Sequence, residues 1–212
     1  MIQDRLLETA VREFGQKGLE GASTRGIAAA AGTAMSSITY HYGGKEGLYL
    51  AAADYIVSQM DDIAPRALEG ALPGTPDEAR AAIHRTFAAF IDKISGPRSE
   101  AWALFIVREQ MNPTGAFDRL WAGPMGRNLG ILVTLVRTAT GASDDAGARL
   151  AVVTLFGQVI VIRAARAMCA RLLGRPLDDP DLIADFKARI AANTDAVLDR
   201  LISERTSERG QA

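Results

Sequence analysis

The chain carries 212 residues, 48% of them apolar, with a formal net charge of −1; this excludes a disordered chain and gives no gross basic signature for nucleic acid. Its single cysteine, Cys169, leaves no disulfide framework and no metal cluster, so no metal or cofactor is expected and the setting reads as reducing and cytoplasmic. The opening MIQDRLLETAVREF lacks the apolar stretch of an export signal. The longest apolar run, Leu150 to Ile162 between Arg149 and Arg163, falls short of the about 20 residues of a membrane span, so no membrane partner is expected.

Leu6, Leu7, Ala10, Val11 and Phe14 recur at helical spacing, and Gly18 follows as a stop, predicting a helix over about 2–17. Ser23 and Thr24 offer a cap for a short second helix that turns Ile27, Ala28 and Ala31 inward and breaks at Gly32. MSSITYHY, residues 35–42, is the third helix, closed by Gly43-Gly44. A long fourth helix starts at Lys45 and reaches toward Ala71, with Pro65 a kink or early stop. Thr75 caps the fifth, with Pro76 at its first position and Asp77-Glu78 at the positive end of the dipole. It runs to about Ile94, and the sixth covers about 99–111. The seventh region, about 116–140, contains AGPMG, where Pro124 predicts a break near Gly123. Helices over about 145–173 and 180–203 follow, the second leading into a polar tail. No period-2 alternation appears, so the fold class is all-α with about nine helices.

MSSITYHY is too short and polar to stand by itself. Ile38 and Tyr42 lie four apart and align with Ala34 as one narrow inward stripe, which leaves Met35, Ser36, Ser37, Thr39, Tyr40 and His41 facing outward. Hydroxyl and imidazole groups in that set suit phosphates and base edges. A capped short helix, a glycine turn, a second short helix and then a long one is the organisation of a helix-turn-helix. Lys45 adds a charge at the start of the fourth helix, where unpaired backbone N–H groups already favour an anion, and Thr24 and Arg25 open the second helix in the same way.

Thr24, Ile27, Ala28, Ala31 and Gly32, then Ile38, Tyr40-His41-Tyr42, Lys45-Glu46 and Leu48, together resemble the DNA-binding signature of the TetR/AcrR family over about the first 50 residues. The resemblance implies an N-terminal three-helix helix-turn-helix domain, residues 1–50, joined by a long helix to a helical effector-binding and dimerisation domain, residues 51–206, with 207–212 a disordered tail. It implies a homodimer that binds a semi-palindromic, double-stranded operator and leaves it when a small molecule binds. By position, Thr24, Tyr40, His41 and Lys45 fall at phosphate contacts, and Arg25, Met35, Ser36, Ser37 and Thr39 where bases are read or approached. Ala34 departs from the family's usual Ser or Thr cap, Ser36 from a frequent Gly and Thr39 from a frequent Tyr, so no operator sequence carries over. Arg108-Glu109, Pro113-Thr114, Ala116-Phe117-Asp118, Leu120, Gly157-Gln158-Val159 and Arg163-Ala164-Ala165-Arg166 resemble the C-terminal domain of the CecR-like subgroup, which implies control of transport or stress genes.

Phe87, Phe90, Trp102, Phe105 and Trp121 are core residues by their spacing, and with Glu109 and Met125 they are also the candidate lining of an effector pocket. Arg108, Glu109 and Arg127 lie amid apolar helices and need partners, expected as interhelical salt bridges. The run 151–162 is apolar around its whole circumference, more than one subunit's core covers. Val153, Phe156, Gly157 and Ile160, with Phe186, Ile190, Val197 and Leu201 of the last helix, are the expected two-fold interface. The alternatives are a DNA-binding regulator without an effector and a helical enzyme using His84 or Cys169; no catalytic motif supports the enzyme.

Overall fold

The computed structural model describes residues 2–60, 63–64, 68, 72–96 and 99–209. Among these the chain forms eleven α-helices, one π-helical turn and no strand: α1 Ile2–Gly21, α2 Thr24–Ala31, α3 Met35–Tyr42, α4 Lys45–Gln59, α5 Pro76–Ser95, α6 Ser99–Met111, α7 Gly115–Leu120, the π turn Trp121–Met125, α8 Gly126–Thr140, α9 Ala146–Ala164, α10 Arg166–Leu173 and α11 Pro180–Arg209.

The number exceeds nine because two expected helices are each divided. The break at AGPMG is where proline predicts it: Gly123 leaves helical geometry (φ −83°, ψ −154°) and Pro124 is buried in the π turn. The break between α9 and α10 lies at Ala165 (φ −115°, ψ 38°). Gly18 interrupts α1 as expected, at φ 75°, although helical turns resume to Gly21. The fourth helix ends at Gln59, where Met60 turns extended (ψ 132°). Pro65 and Ala71 lie outside the described residues, as do 210–212. Residues 207–209, expected in a disordered tail, are a correction: they continue α11.

The chain divides into two compact units, and neither follows chain order. The first joins residues 1–61 to 97–127, and the second joins 62–96 to 128–212. In the first unit α1 packs on α4 and α6. Its centre is Phe14 edge-on to Tyr49 (4.9 Å between centroids), with Phe105 against the other side of Tyr49 (4.7 Å). Buried beside them, Glu109 accepts from the Tyr49 hydroxyl (2.5 Å) and from the Thr114 backbone N–H and hydroxyl (3.0 Å each). Arg108 donates to the carbonyls of Gly15 (3.3 Å) and Gln16 (3.1 Å). The interhelical salt bridges expected for Arg108 and Glu109 are therefore replaced by hydrogen bonds, since hydroxyls and an amide already satisfy the buried Glu109 and carbonyls the half-buried Arg108.

In the second unit α5 begins on the expected cap. Thr75 Oγ1 accepts from Glu78 N (3.3 Å) and Glu78 Oε2 accepts from Thr75 N (3.2 Å). Ile83, Phe87 and Ile91 of α5, Leu132, Leu135 and Val136 of α8, Val152, Leu155 and Val159 of α9, and Ile190 and Leu198 of α11 form one core. Arg80 links α5 to α11 through Asp195 (2.9 Å) and Asp199 (2.5 Å), and Lys187 pairs with Asp92 (2.5 Å).

Candidate nucleic-acid interface

The site is built on α2, α3 and the first turn of α4. Ser23 caps α2, its hydroxyl accepting from Gly26 N (3.4 Å). Thr24 and Arg25 open that helix, Thr24 half-buried and Arg25 exposed. Gly32 ends it in the left-handed region (φ 65°), its N–H directed at the carbonyls of Ala28 and Ala29. Arg5 completes the turn from α1: its Nε donates to Ala31 O at 2.7 Å, a cation on the negative end of the helix. A Cβ on Gly32 would stand 2.6 Å from an Arg5 guanidinium nitrogen, which could swing aside, so it is the left-handed backbone angle that favours glycine here.

α3 follows with Ala34 at its cap position and no side-chain cap bond, as the departure from the family pattern predicts. Ile38 alone on this helix is fully buried; Tyr42, half-buried, closes the same stripe. Burial of Ile38 is worth about 2 kcal/mol, and it holds an eight-residue helix that would not persist alone. Met35, Ser36, Thr39, Tyr40 and His41 are exposed, Ser37 is half-exposed, and Tyr40 stands 84% in solvent. His41 meets Tyr40 edge-on at 4.9 Å, which places an imidazole and a phenol side by side on the outer surface. Gly43 caps α3 with an N–H to Thr39 O (3.0 Å).

Lys45 is half-buried, and its Nζ donates to Glu20 O at 2.9 Å, tying the start of α4 to the end of α1. The ammonium keeps further donors for an anion. Gly47 has no place in the sequence reading, yet a Cβ there would overlap the carbonyl oxygen of Tyr42. The α3–α4 junction therefore closes only over glycine. The signal was the last glycine of GGKEG, which reads in the sequence as an ordinary helical position.

The residues expected to line an effector pocket fall into both units. In the first, Phe105 and Glu109 are committed to the Tyr49 cluster, Trp102 is half-buried, Met125 is buried, and Trp121 is exposed and stacked on Phe117 (6.2 Å). In the second, Phe87 and Phe90 belong to the core. Phe87 also faces a groove of about 380 Å³ between α5 and α11, shared with His84, Ile91, Lys187, Ile190 and Thr194. His84 Nε2 stands 3.0 Å from Asp195 Oδ1 but off hydrogen-bonding geometry. Cys169 is buried, its thiol directed at Val161 O (3.7 Å).

Of the expected interface residues, Val153 and Gly157 are exposed, and Phe156, Ile160, Phe186, Val197 and Leu201 are half-buried. Ile190 is a correction: it points into the unit's own core, because it follows Phe186 by four on α11's inward edge and packs with the α5 side chains.

The family of C-terminal domains of the HTH-type transcriptional dual regulator CecR matches residues 76–201, and the tetR family of bacterial regulatory proteins matches residues 6–52. The chain is 28% identical over 204 residues to the HTH-type transcriptional dual regulator CecR of Shigella flexneri, covering 93% of this chain and 91% of that protein. It is 35% identical over 71 residues to the HTH-type transcriptional regulatory protein RaaS of Mycobacterium tuberculosis, covering 34% and 33%. Similar solved folds include a TetR-family transcriptional regulator from Streptomyces coelicolor (TM-score 0.65, 20% identity, 95% of this chain and 96% of that one). The fatty acid degradation regulator FadR from Bacillus halodurans is another (TM-score 0.63, 16% identity, 89% and 97%). The exposed recognition helix and both halves of the chain lead to one assignment: this chain belongs to the TetR family of DNA-binding transcriptional regulators, with a C-terminal domain of the CecR type, and is not an enzyme.

Proposed function

We propose that the chain is a homodimeric, ligand-responsive repressor that each subunit seats on its operator by placing α3 in a major groove. One observation carries this reading: α3 buries Ile38 alone and turns a hydroxyl, thioether, phenol and imidazole set outward. Residues 1–50 read the DNA, with Thr24, Tyr40, His41 and Lys45 on phosphates and Arg25, Met35, Ser36, Ser37 and Thr39 toward bases. Residues 51–206 bind effector and dimerise, and function on an operator puts the protein in the cytoplasm.

The dimer joins the outward faces of α9 and α11. Leu150 and Val153 are 67% and 68% exposed there, an apolar face that a lone subunit leaves in water. The effector belongs in the second unit, with Phe87 and Phe90 as its candidate contacts and the groove between α5 and α11 that Phe87 faces as its entry. It acts by preferring the state that cannot bind DNA. The name of the Shigella flexneri relative, a dual regulator, favours a second reading in which the same protein also activates at other sites.

The first 50 residues hold as many acidic as basic side chains, so affinity rests on a few cations doubled by the dimer. Lys45 in two copies gives a slope of about −2 in log affinity against log salt. Titration of operator DNA between low and physiological salt tests this; an affinity independent of salt contradicts DNA binding through this face.

A further inference from the structure

We infer that Gln158 and Asn193 form a closed ring of four side-chain amides across the two-fold axis of the dimer, and that this ring fixes its register. The inference rests on the α9–α11 dimer proposed above and names the residues that select the second copy as partner.

In one subunit Asn193 Nδ2 donates to Gln158 Oε1 at 2.7 Å, joining α11 to α9. Both side chains are half-exposed. Around them the α9 face is apolar or small: Val153 and Gly157 are exposed and Val161 is half-exposed, while Ala192, Ala196 and Val197 lie along the neighbouring face of α11. Leu155 and Val159 point the other way, into the core. The polar pair thus sits beside small and apolar outward positions, with exposed Thr154 one turn before Gln158 and exposed Arg189 one turn before Asn193.

The bond within the subunit uses one donor and one acceptor. What remains is complementary to itself: Gln158 Nε2 keeps its donors on α9, and Asn193 Oδ1 keeps its acceptor on α11. A two-fold interface pairs residue i of one copy with residue j of the other, and j with i. If α9 of one subunit meets α11 of its mate, Gln158 Nε2 donates to the partner subunit's Asn193, and the reciprocal bond forms by symmetry. Each of the four amides then makes two bonds, whereas a face displaced by one helical turn keeps the bond within each subunit but buries the remaining Gln158 donor and Asn193 acceptor without partners. Leu150 and Val153 alone would tolerate such a slip, as apolar faces do; a single polar position specifies register because only one arrangement satisfies it. A partner lacking this donor and acceptor at the same separation is rejected in the same way.

The test uses the full chain. Sedimentation establishes the dimer at micromolar concentration, and subunit exchange between two differently labelled pools gives its dissociation rate. Q158L and N193L each orphan an amide in the interface and speed exchange about tenfold or more; N193A is the smaller truncation that confirms the second. Q158L/N193L removes both amides and returns exchange to within about threefold of the parent, since no polar group is left unpaired. Melting temperatures near that of the parent, expected for half-exposed positions, confirm that each variant folds. A parent that sediments as a monomer overturns the dimer itself. A dimeric parent whose single variants exchange within twofold of it leaves the dimer standing and overturns the ring, as does a double variant that exchanges as fast as the singles.

Discussion

α3 and α9 both present to solvent more than a free subunit needs, and the chemistry of the two faces differs. α3 exposes serine, threonine, tyrosine and histidine over a single buried isoleucine. α9 exposes leucine, valine and glycine over a full core face. A face rich in hydroxyls and ring nitrogens stays soluble alone and gains most against a charged, hydrogen-bonding polymer. An apolar face gains most by leaving water against another apolar face. In the proposed reading the two helices therefore serve different partners, DNA for α3 and a second copy of this chain for α9.

The largest expected effect comes from breaking the support of α3. Ile38→Ala removes its one buried anchor and costs about 3 kcal/mol of stability in urea titration, with operator binding lost. Gly47→Ala gives a comparable loss, because its Cβ overlaps the Tyr42 carbonyl. Next comes the apolar face: Val153→Glu introduces a charge where association must exclude water. The variant is expected to sediment as a monomer while its melting curve stays cooperative, since Val153 is 68% exposed in the subunit. If it remains dimeric, α9 is not the interface. A smaller effect is expected on the polar face: Arg25→Gln weakens operator binding about tenfold and relaxes the base preference at its position, while Tyr40→Phe, at an exposed hydroxyl, costs less and leaves stability unchanged.

The smallest effect at neutral pH concerns the cluster beneath the DNA-binding helices. Burial, reinforced by the Glu109 carboxylate, pushes the Tyr49 hydroxyl well above the ordinary tyrosine range. The folded state therefore keeps this proton when the unfolded chain, titrating near about pH 10, has lost it. Stability from the neutral hydroxyl is full below that pH and falls as pH rises toward the folded value. Thermal melts in alkaline buffer are expected to drop less steeply for Tyr49→Phe than for the parent; identical alkaline limbs would remove the cluster from the account.

The features set by local chemistry were legible in the sequence. The bounds of α3, the Thr75 cap, the break at Gly123-Pro124 and the outward set on MSSITYHY follow from periodicity, caps and proline. Features set by distant partners were not. Arg5 seals Ala31 O from 26 positions away, and Arg108 seals Gly15 O from 93 away, because a backbone carbonyl has no signature in a sequence. The break at Ala165 lies in RAARA, a good helical sequence. There Arg163 is held by the carbonyls of Ile94 (2.7 Å) and Gly96 (3.1 Å), anchoring the end of α9 where propensity would continue it. Ile190 and Phe186 look alike as apolar positions four apart, and only the packing of α5 decides that Ile190 is core. Gly47 reads as a weak helix residue until the Tyr42 carbonyl is seen against it.

The central claim is that α3 reads DNA as one half of a symmetric pair. Selection of bound sequences from a randomised duplex pool by the purified full chain tests it most directly. The account predicts an enriched, two-fold-related site whose half-sites lie about one helical turn, or a multiple of one, apart. Recovery of no preferred sequence, or of a single unrepeated half-site, would contradict it.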